Sequence, residues 1–136
     1  MHTDGPFTFE TVDAARERYE AVGPVAQTVV REVARAMDFD RVEYDERVTN
    51  DVVETARDAC FASLLEVTVG TREEYDEWLA GYDGEVMEAG HDAVDNVVWH
   101  GGPDGEAVAA TFQEEEAAAV ATLRRQAFGK LYRDLL

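Results

Sequence analysis

Hydrophobic residues recur at the spacing of amphipathic helices through the first half of the chain. Between Val25 and Met37 they fall every four positions, directly after Gly23-Pro24, a pair that ends one helix and starts the next. Threonines and an aspartate before the hydrophobic runs are typical of helix N-caps. We therefore predict four helices in this half, over about residues 8–22, 24–37, 40–48 and 49–64.

The second half has a different pattern, because short alternating or continuous hydrophobic segments replace the helical stripes. A capping-box pattern at Thr71–Glu74 opens a helix among them. The turn Gly101–Gly105 favours a hairpin in which residues 107–112 form the second strand, although the alanines of that segment also suit a helix. Strands are predicted at Leu65–Val69, near Glu85–Glu88 and at Asn96–His100.

The C-terminal segment has the clearest helical pattern of the chain. Acidic residues occupy its first turn, and Lys130 and Arg133 lie near its end, as the helix dipole favours. Gly129 inside this helix indicates a kink or a close approach of another backbone. The hydrophobic residues expected to be buried are Val120, Leu123, Ala127, Leu131 and Leu135.

These elements predict a single α+β domain that spans residues 1–136. Its helical part covers residues 1–65, and a small, mostly antiparallel sheet with one helix covers residues 66–113. The long C-terminal helix, residues 114–136, is expected to pack across both parts. A chain of this length is large enough to bury one hydrophobic core.

Charge distinguishes the chain from an ordinary globular domain. Thirty acidic residues face twelve basic ones, Lys130 is the only lysine, and the net charge is −18. Residues 1–65 carry −7, residues 66–116 carry −14 and residues 117–136 carry +3. Self-repulsion of this size becomes tolerable in concentrated salt, where the Debye length is roughly 3 Å at 1 M. We therefore expect a salt-accumulating host, and binding to nucleic acid or to a membrane surface is disfavoured.

Targeting and redox features point to a cytoplasmic protein. No hydrophobic run approaches the roughly 18 residues that a membrane span needs. Met1–Pro6 has neither the cationic start nor the apolar stretch of a signal peptide. Cys60 is the only cysteine, which excludes an internal disulfide and a cysteine-based zinc cluster.

The segment from His91 to His100 holds the only local cluster of catalytic or metal-ligating side chains. Within it, Asp95, Asn96, Trp99 and His100 are candidates to line a ligand pocket where the sheet meets a helix. The spacing of the histidines and aspartates matches no established metal motif, so we predict no metal site and no cofactor. Whether His91 and His100 converge on one cavity is open at this point.

Arg124, Arg125 and Arg133 lie on the only segment with a positive net charge. Their planar guanidinium groups suit bidentate contacts with carboxylates. Two interpretations are open. The arginines either contact the acidic middle segment of the same chain, which we favour, or contact a partner.

Three blocks of sequence carry a resemblance to a known family. They are Gly23–Ala34 (GPVAQTVVREVA), Val94–His100 (VDNVVWH) and Thr122–Gly129 (TLRRQAFG). They are similar to blocks of a small family of acidic haloarchaeal proteins of unknown function, and the resemblance extends over nearly the whole chain. It implies a salt-adapted cytoplasmic protein, but it brings no activity, fold or catalytic residues with it.

The lack of a catalytic motif and the basic C-terminal helix favour a non-enzymatic module. We expect it to bind or regulate another protein, or to bind a second copy of itself. The alternative is a small enzyme or a ligand- or metal-binding protein with a pocket around Asp95, Trp99 and His100.

Overall fold

A computed structural model describes residues 1–136 and has one five-stranded sheet with helices on both of its faces. The last helix continues into a π-helical turn at Phe128–Tyr132. The predicted α+β class is confirmed, with helices first, a mostly antiparallel sheet and a helix at the C-terminus. In chain order the elements are β1 (His2–Asp4), α1 (Val12–Ala21), α2 (Gly23–Ala36), α3 (Arg41–Arg47), α4 (Asn50–Ser63), β2 (Val67–Thr71), α5 (Arg72–Ala80), β3 (Glu85–Ala89), β4 (Asn96–Gly101), β5 (Glu106–Phe112) and α6 (Glu116–Ala127).

The strand order in the sheet is β1-β2-β4-β5-β3, and only β3, at one edge, runs parallel to its neighbour. β4 and β5 form the predicted hairpin, in which Trp99 lies opposite Ala109 and His100 lies opposite Val108. Residues 107–112 are therefore strand rather than helix. Strand β1 has no counterpart in the sequence pattern, because its three residues are polar and exposed.

Two hydrophobic clusters lie on opposite faces of the sheet. The larger cluster packs α1, α4 and α6 against the sheet, with Phe61 and Leu123 completely buried. The smaller cluster packs α5 on the other face, where the rings of Tyr75 and Trp99 are 5.3 Å apart. The buried side chains of α2 belong to neither cluster, and α3 has no buried residue. The part of the molecule formed by α2 and α3 therefore has little core of its own.

The helices begin at side-chain caps that the sequence provides. Thr11, Asp40 and Thr49 each accept a hydrogen bond from the backbone N–H three residues further on. Thr71 and Glu74 form the predicted capping box, since each side chain accepts a hydrogen bond from the other residue's backbone N–H. This box starts α5 directly at the end of β2 and so places it on the sheet.

The C-terminal helix differs from its prediction at Gly129. This residue lies inside the π-helical turn, and a Cβ atom there would meet no neighbouring atom within 4 Å. Of the two alternatives, a kink or a close backbone approach, the close approach is therefore wrong. A π-helical turn contains an extra residue, so it shifts the side chains that follow it relative to regular helical spacing. Phe128, Leu131 and Tyr132 are all buried on the side of the helix that faces the core.

Candidate functional site

The predicted ligand residues Trp99 and His100 do not line one pocket. They are neighbours in β4, so their side chains point to opposite faces of the sheet. Trp99 is 2% exposed and packs against Tyr75 and Trp78 of α5. His100 is equally buried and contacts Tyr132 at the end of the chain. The sheet itself separates the two side chains.

His100 makes two hydrogen bonds that leave neither ring nitrogen free. Its Nδ1 atom lies 2.6 Å from the carbonyl oxygen of Glu66, and its Nε2 atom lies 2.6 Å from the hydroxyl oxygen of Tyr132. Because a carbonyl oxygen can only accept, Nδ1 carries the proton and the Tyr132 hydroxyl donates to Nε2. Burial lowers the pKa of the His100 imidazole and raises the pKa of the Tyr132 phenol. The pair is therefore neutral and joins β4 to the C-terminal turn.

The other residues of the predicted pocket lie at the surface. Asp95 is exposed, and the Asn96 side-chain amide donates to a backbone carbonyl just after β5 at 3.0 Å. His91 is exposed in the loop before β4, where its Nδ1 accepts a hydrogen bond from the backbone of Ala93. His91 and the buried His100 therefore do not converge. No group of three or more His, Cys, Asp or Glu side chains is placed to hold a metal ion.

The three arginines of the last helix have different surroundings. The Arg124 side chain is 17% exposed, and its guanidinium donates to the carbonyl oxygens of Leu65 and Asp4, both at 2.9 Å. Arg125 is exposed and contacts only a threonine hydroxyl of its own helix, at 3.4 Å. Arg133 is exposed and lies over an aromatic ring of the same helix. Arg124 thus connects β1 and the α4–β2 junction to α6 within one chain.

A small polar cavity of about 180 Å³ lies between α5 and strands β3 and β5. Its lining includes Arg72, Tyr75 and Glu88. The Tyr75 hydroxyl donates to the Glu88 carboxylate, and burial together with this hydrogen bond raises the pKa of Tyr75. Arg72 donates to two carbonyl oxygens of the loop before β4, while its buried Nε has no partner. The cavity is smaller than the ~300–1,000 Å³ of typical ligand pockets, and its one cation is engaged by that loop.

A larger and far more hydrophobic depression lies between α2 and α4. Its volume is about 560 Å³, and ten of its twelve lining residues are hydrophobic. The α2 side presents Val29 and Val33, and the α4 side presents Val52 together with smaller residues, including Ala56 and Ala59. Helical spacing places these alanines on the side of α4 opposite to the core residue Phe61. The depression, called the α2–α4 groove below, therefore opens away from the sheet.

Helix α2 has two hydrophobic stripes, and only one of them is buried. Six of the eight large hydrophobic side chains that the protein exposes lie between residues 25 and 52. Continuous hydrophobic surface of this kind marks interaction sites. The buried stripe is Ala26, Val30 and Ala34. The exposed stripe is Val25, Val29, Val33 and Met37, with exposures of 54%, 43%, 52% and 58%.

None of the groove residues is among those that the sequence singled out for function. The available signal is the presence of two adjacent stripes on one helix of 14 residues. A helix that packs on one side needs only one such stripe. The second stripe leaves four large apolar side chains of this segment exposed to solvent.

Charge around the α2–α4 groove is less one-sided than in the acidic middle segment of the chain. Residues 24–59 carry nine acidic and five basic side chains and so a net charge of −4, whereas residues 66–116 carry −14. Arg47 lines the groove, and Arg35 pairs with Glu32 at 3.5 Å on the exposed side of α2. Basic and acidic side chains are therefore both present on the helices that form the groove.

None of the helices is both long and apolar enough to cross a membrane. No curated protein and no solved structure matches the chain. One family model does match, over residues 6–133, and it describes a family of unknown function, DUF5809. The match covers almost the whole fold, and the chain therefore belongs to the DUF5809 family.

Proposed function

We propose that this protein is a non-enzymatic protein-binding module and that the α2–α4 groove is its docking surface. The observation that carries the proposal is the exposed hydrophobic stripe of α2, which lies beside a depression with an almost wholly hydrophobic lining. Monomeric proteins rarely leave continuous hydrophobic surface of this kind in water. The occupant that fits best is an amphipathic α-helix.

The dimensions of the groove suit a helix. Helix α2 has 14 residues, which corresponds to about 21 Å at a rise of 1.5 Å per residue. Small side chains at Ala56 and Ala59 allow the backbone of an incoming helix to approach closely. Hydrophobic side chains three or four residues apart on that helix would fit between the valines of α2.

The C-terminal helix has a smaller part in this proposal than its charge alone indicated. Arg124 is engaged within the chain. Arg125 and Arg133 are exposed and remain available to carboxylates of a partner. Exposed ion pairs contribute little affinity, about 0–1 kcal/mol each, so they would adjust specificity rather than drive docking.

The alternative of an enzyme or ligand-binding protein has less support. Its pocket would need Asp95, Trp99 and His100 to meet, but Trp99 and His100 face opposite sides of the sheet and Asp95 is exposed. The cavity at Arg72 and Tyr75 is small, and the Arg72 guanidinium and the Glu88 carboxylate there already have hydrogen-bond partners within the chain. No observation favours a reaction at either place.

Composition supports a salt-accumulating cytoplasm as the working environment of the module. The net charge of −18 and the near absence of lysine both fit such a solvent. Concentrated salt screens long-range attraction between charged surfaces. Docking would then depend on hydrophobic contact, which is what the α2–α4 groove provides.

Photo-crosslinking from within the groove tests this function. A photoreactive amino acid at Val33, which lines the groove and is 52% exposed, is compared with one at Met87, an exposed residue of edge strand β3. We expect irradiation of extracts at high KCl to give protein adducts from position 33. Mass spectrometry should map these adducts to one helical segment of an identified protein. Equal adducts from both positions, or none from position 33, would contradict the proposal.

A binding measurement with the purified, identified protein completes the test. Val33→Glu should weaken binding at least tenfold, because it places a charge in the hydrophobic contact. Met87→Glu makes the same chemical change elsewhere on the surface and should leave binding unchanged.

A further inference from the structure

We infer that the helix occupying the α2–α4 groove is α2 of a second copy of this chain, an inference that rests on the docking role proposed above. Two copies related by a twofold axis would each place the exposed stripe of α2 against the groove of the other. The two α2–α4 pairs then form a four-helix arrangement with one shared hydrophobic centre.

The face holds both components of a symmetric contact. Exposed branched side chains, including Val29 and Val33, form the α2 wall of the groove, and the smaller Ala56 and Ala59 lie on its α4 wall. A twofold axis would pack the α2 wall of each copy against the α4 wall of the other, so one patch provides both halves of the contact. Val25 is 54% exposed but does not line the groove. A single docked helix would leave it in water, whereas the broader face of a second copy covers it.

Charge also favours this face for contact between copies. Two chains that each carry −18 repel one another through most of their surfaces. Residues 24–59 carry only −4 and contain five of the twelve basic side chains. Arg47 lines the groove and acidic side chains such as Glu32 lie on the neighbouring helix α2, so each copy brings side chains of both signs to the contact.

A different contact between copies would join the basic C-terminal helix to the acidic residues 66–116. It is electrostatic, and it would weaken as salt increases. A dimer through the α2–α4 groove behaves in the opposite way, because salt removes the repulsion between two acidic chains while the hydrophobic contact remains.

Sedimentation equilibrium of the purified full chain tests the inference. The KCl concentration is varied from about 0.3 M to about 3 M, so that the Debye length falls from roughly 6 Å to below about 2 Å. We expect a dimer whose dissociation constant decreases as KCl increases. Val33→Glu should raise that constant at least tenfold, and Met87→Glu should leave it unchanged. Val33→Gln serves as a second variant if circular dichroism shows that Val33→Glu is unfolded.

The outcomes separate this inference from the docking role itself. A wild-type chain that is monomeric at every salt and protein concentration overturns the second copy as occupant. The docking role still stands if photo-adducts from position 33 then map to a helix of another protein. Dimers that Val33→Glu leaves intact, or that dissociate as KCl increases, also overturn the inference. Failure of both the dimer and the adducts contradicts both proposals.

Discussion

The Nε2 atom of His100 lies 2.6 Å from the hydroxyl oxygen of Tyr132, and this hydrogen bond joins a central strand to the π-helical turn at the end of the chain. Both side chains are buried, and His100 also contacts the carbonyl oxygen of Glu66. The interaction requires neutral imidazole, because Nε2 must accept the phenol proton. The connection between sheet and C-terminus is therefore sensitive to protonation.

Folding stability should decrease below pH 6.5 because of His100. Burial lowers the pKa of the folded imidazole from its ordinary value of 6.5, so the unfolded chain binds a proton that the folded chain does not. The contribution is fully present above pH 6.5 and is lost as pH falls toward the lowered pKa of the folded state. Denaturant unfolding of wild type and His100→Gln at several pH values measures it.

His100→Gln is the control for this measurement, because the variant lacks the imidazole but keeps the carboxylates, which also titrate at low pH. His100→Gln should cost about 2–4 kcal/mol at neutral pH, since it disturbs two buried hydrogen bonds. The difference in unfolding free energy between wild type and variant should shrink as the pH falls below 6.5. A difference that stays constant from pH 7.5 to pH 5 would show that His100 does not titrate as described.

The same substitution at two valines of α2 should change the folding stability by different amounts. Val30 is 9% exposed and Val33 is 52% exposed, although they are three residues apart on one helix. Val30→Ala should cost about 1–2 kcal/mol because it empties buried space. Val33→Ala should change stability by less than about 0.5 kcal/mol. The two variants are compared by thermal unfolding at low protein concentration, where association contributes little to stability. Equal losses of stability in both variants would mean that the exposed stripe is part of the core.

Substitution by lysine should destabilise the protein at position 124 but hardly at position 125. The guanidinium of Arg124 reaches the carbonyl oxygens of Leu65 and Asp4 at once, which the single ammonium group of a lysine does not reproduce. Arg124→Lys should cost about 1–2 kcal/mol. Arg125→Lys should have an effect below about 0.5 kcal/mol, because Arg125 is exposed. Chemical denaturation of both variants gives the comparison, and similar values for the two would refute this role of Arg124.

Local sequence signals predicted much of the fold. The capping residues Thr49, Thr71 and Glu74 act at short range, and the helices they start are present in the structure. The hairpin of β4 and β5 follows from the turn between them. Strand β1 and the parallel pairing of β3 depend on contacts distant in sequence, and neither left a local pattern.

The candidate site was harder to predict, because the sequence does not say which face of a helix meets solvent. The series from Val25 to Met37 reads as an ordinary core stripe. Only the packing of α2 on α4 shows that Ala26 and Val30 take the buried position instead. The prediction that His100 and Trp99 share one pocket was wrong for a similar reason. Successive side chains of a strand point to opposite faces of the sheet, so β4 separates the two residues.

Thiol alkylation at the groove tests its occupancy most directly. Val33→Cys and Met87→Cys, each combined with Cys60→Ala, place a single thiol in the groove or on the edge strand, at positions 52% and 39% exposed in the isolated chain. If the groove is a docking surface, the thiol at position 33 should be alkylated several-fold more slowly in intact cells or in concentrated solution than in dilute solution. The thiol at position 87 should have the same alkylation rate under these three conditions. Equal alkylation rates of position 33 under every condition would contradict the docking role of the α2–α4 groove.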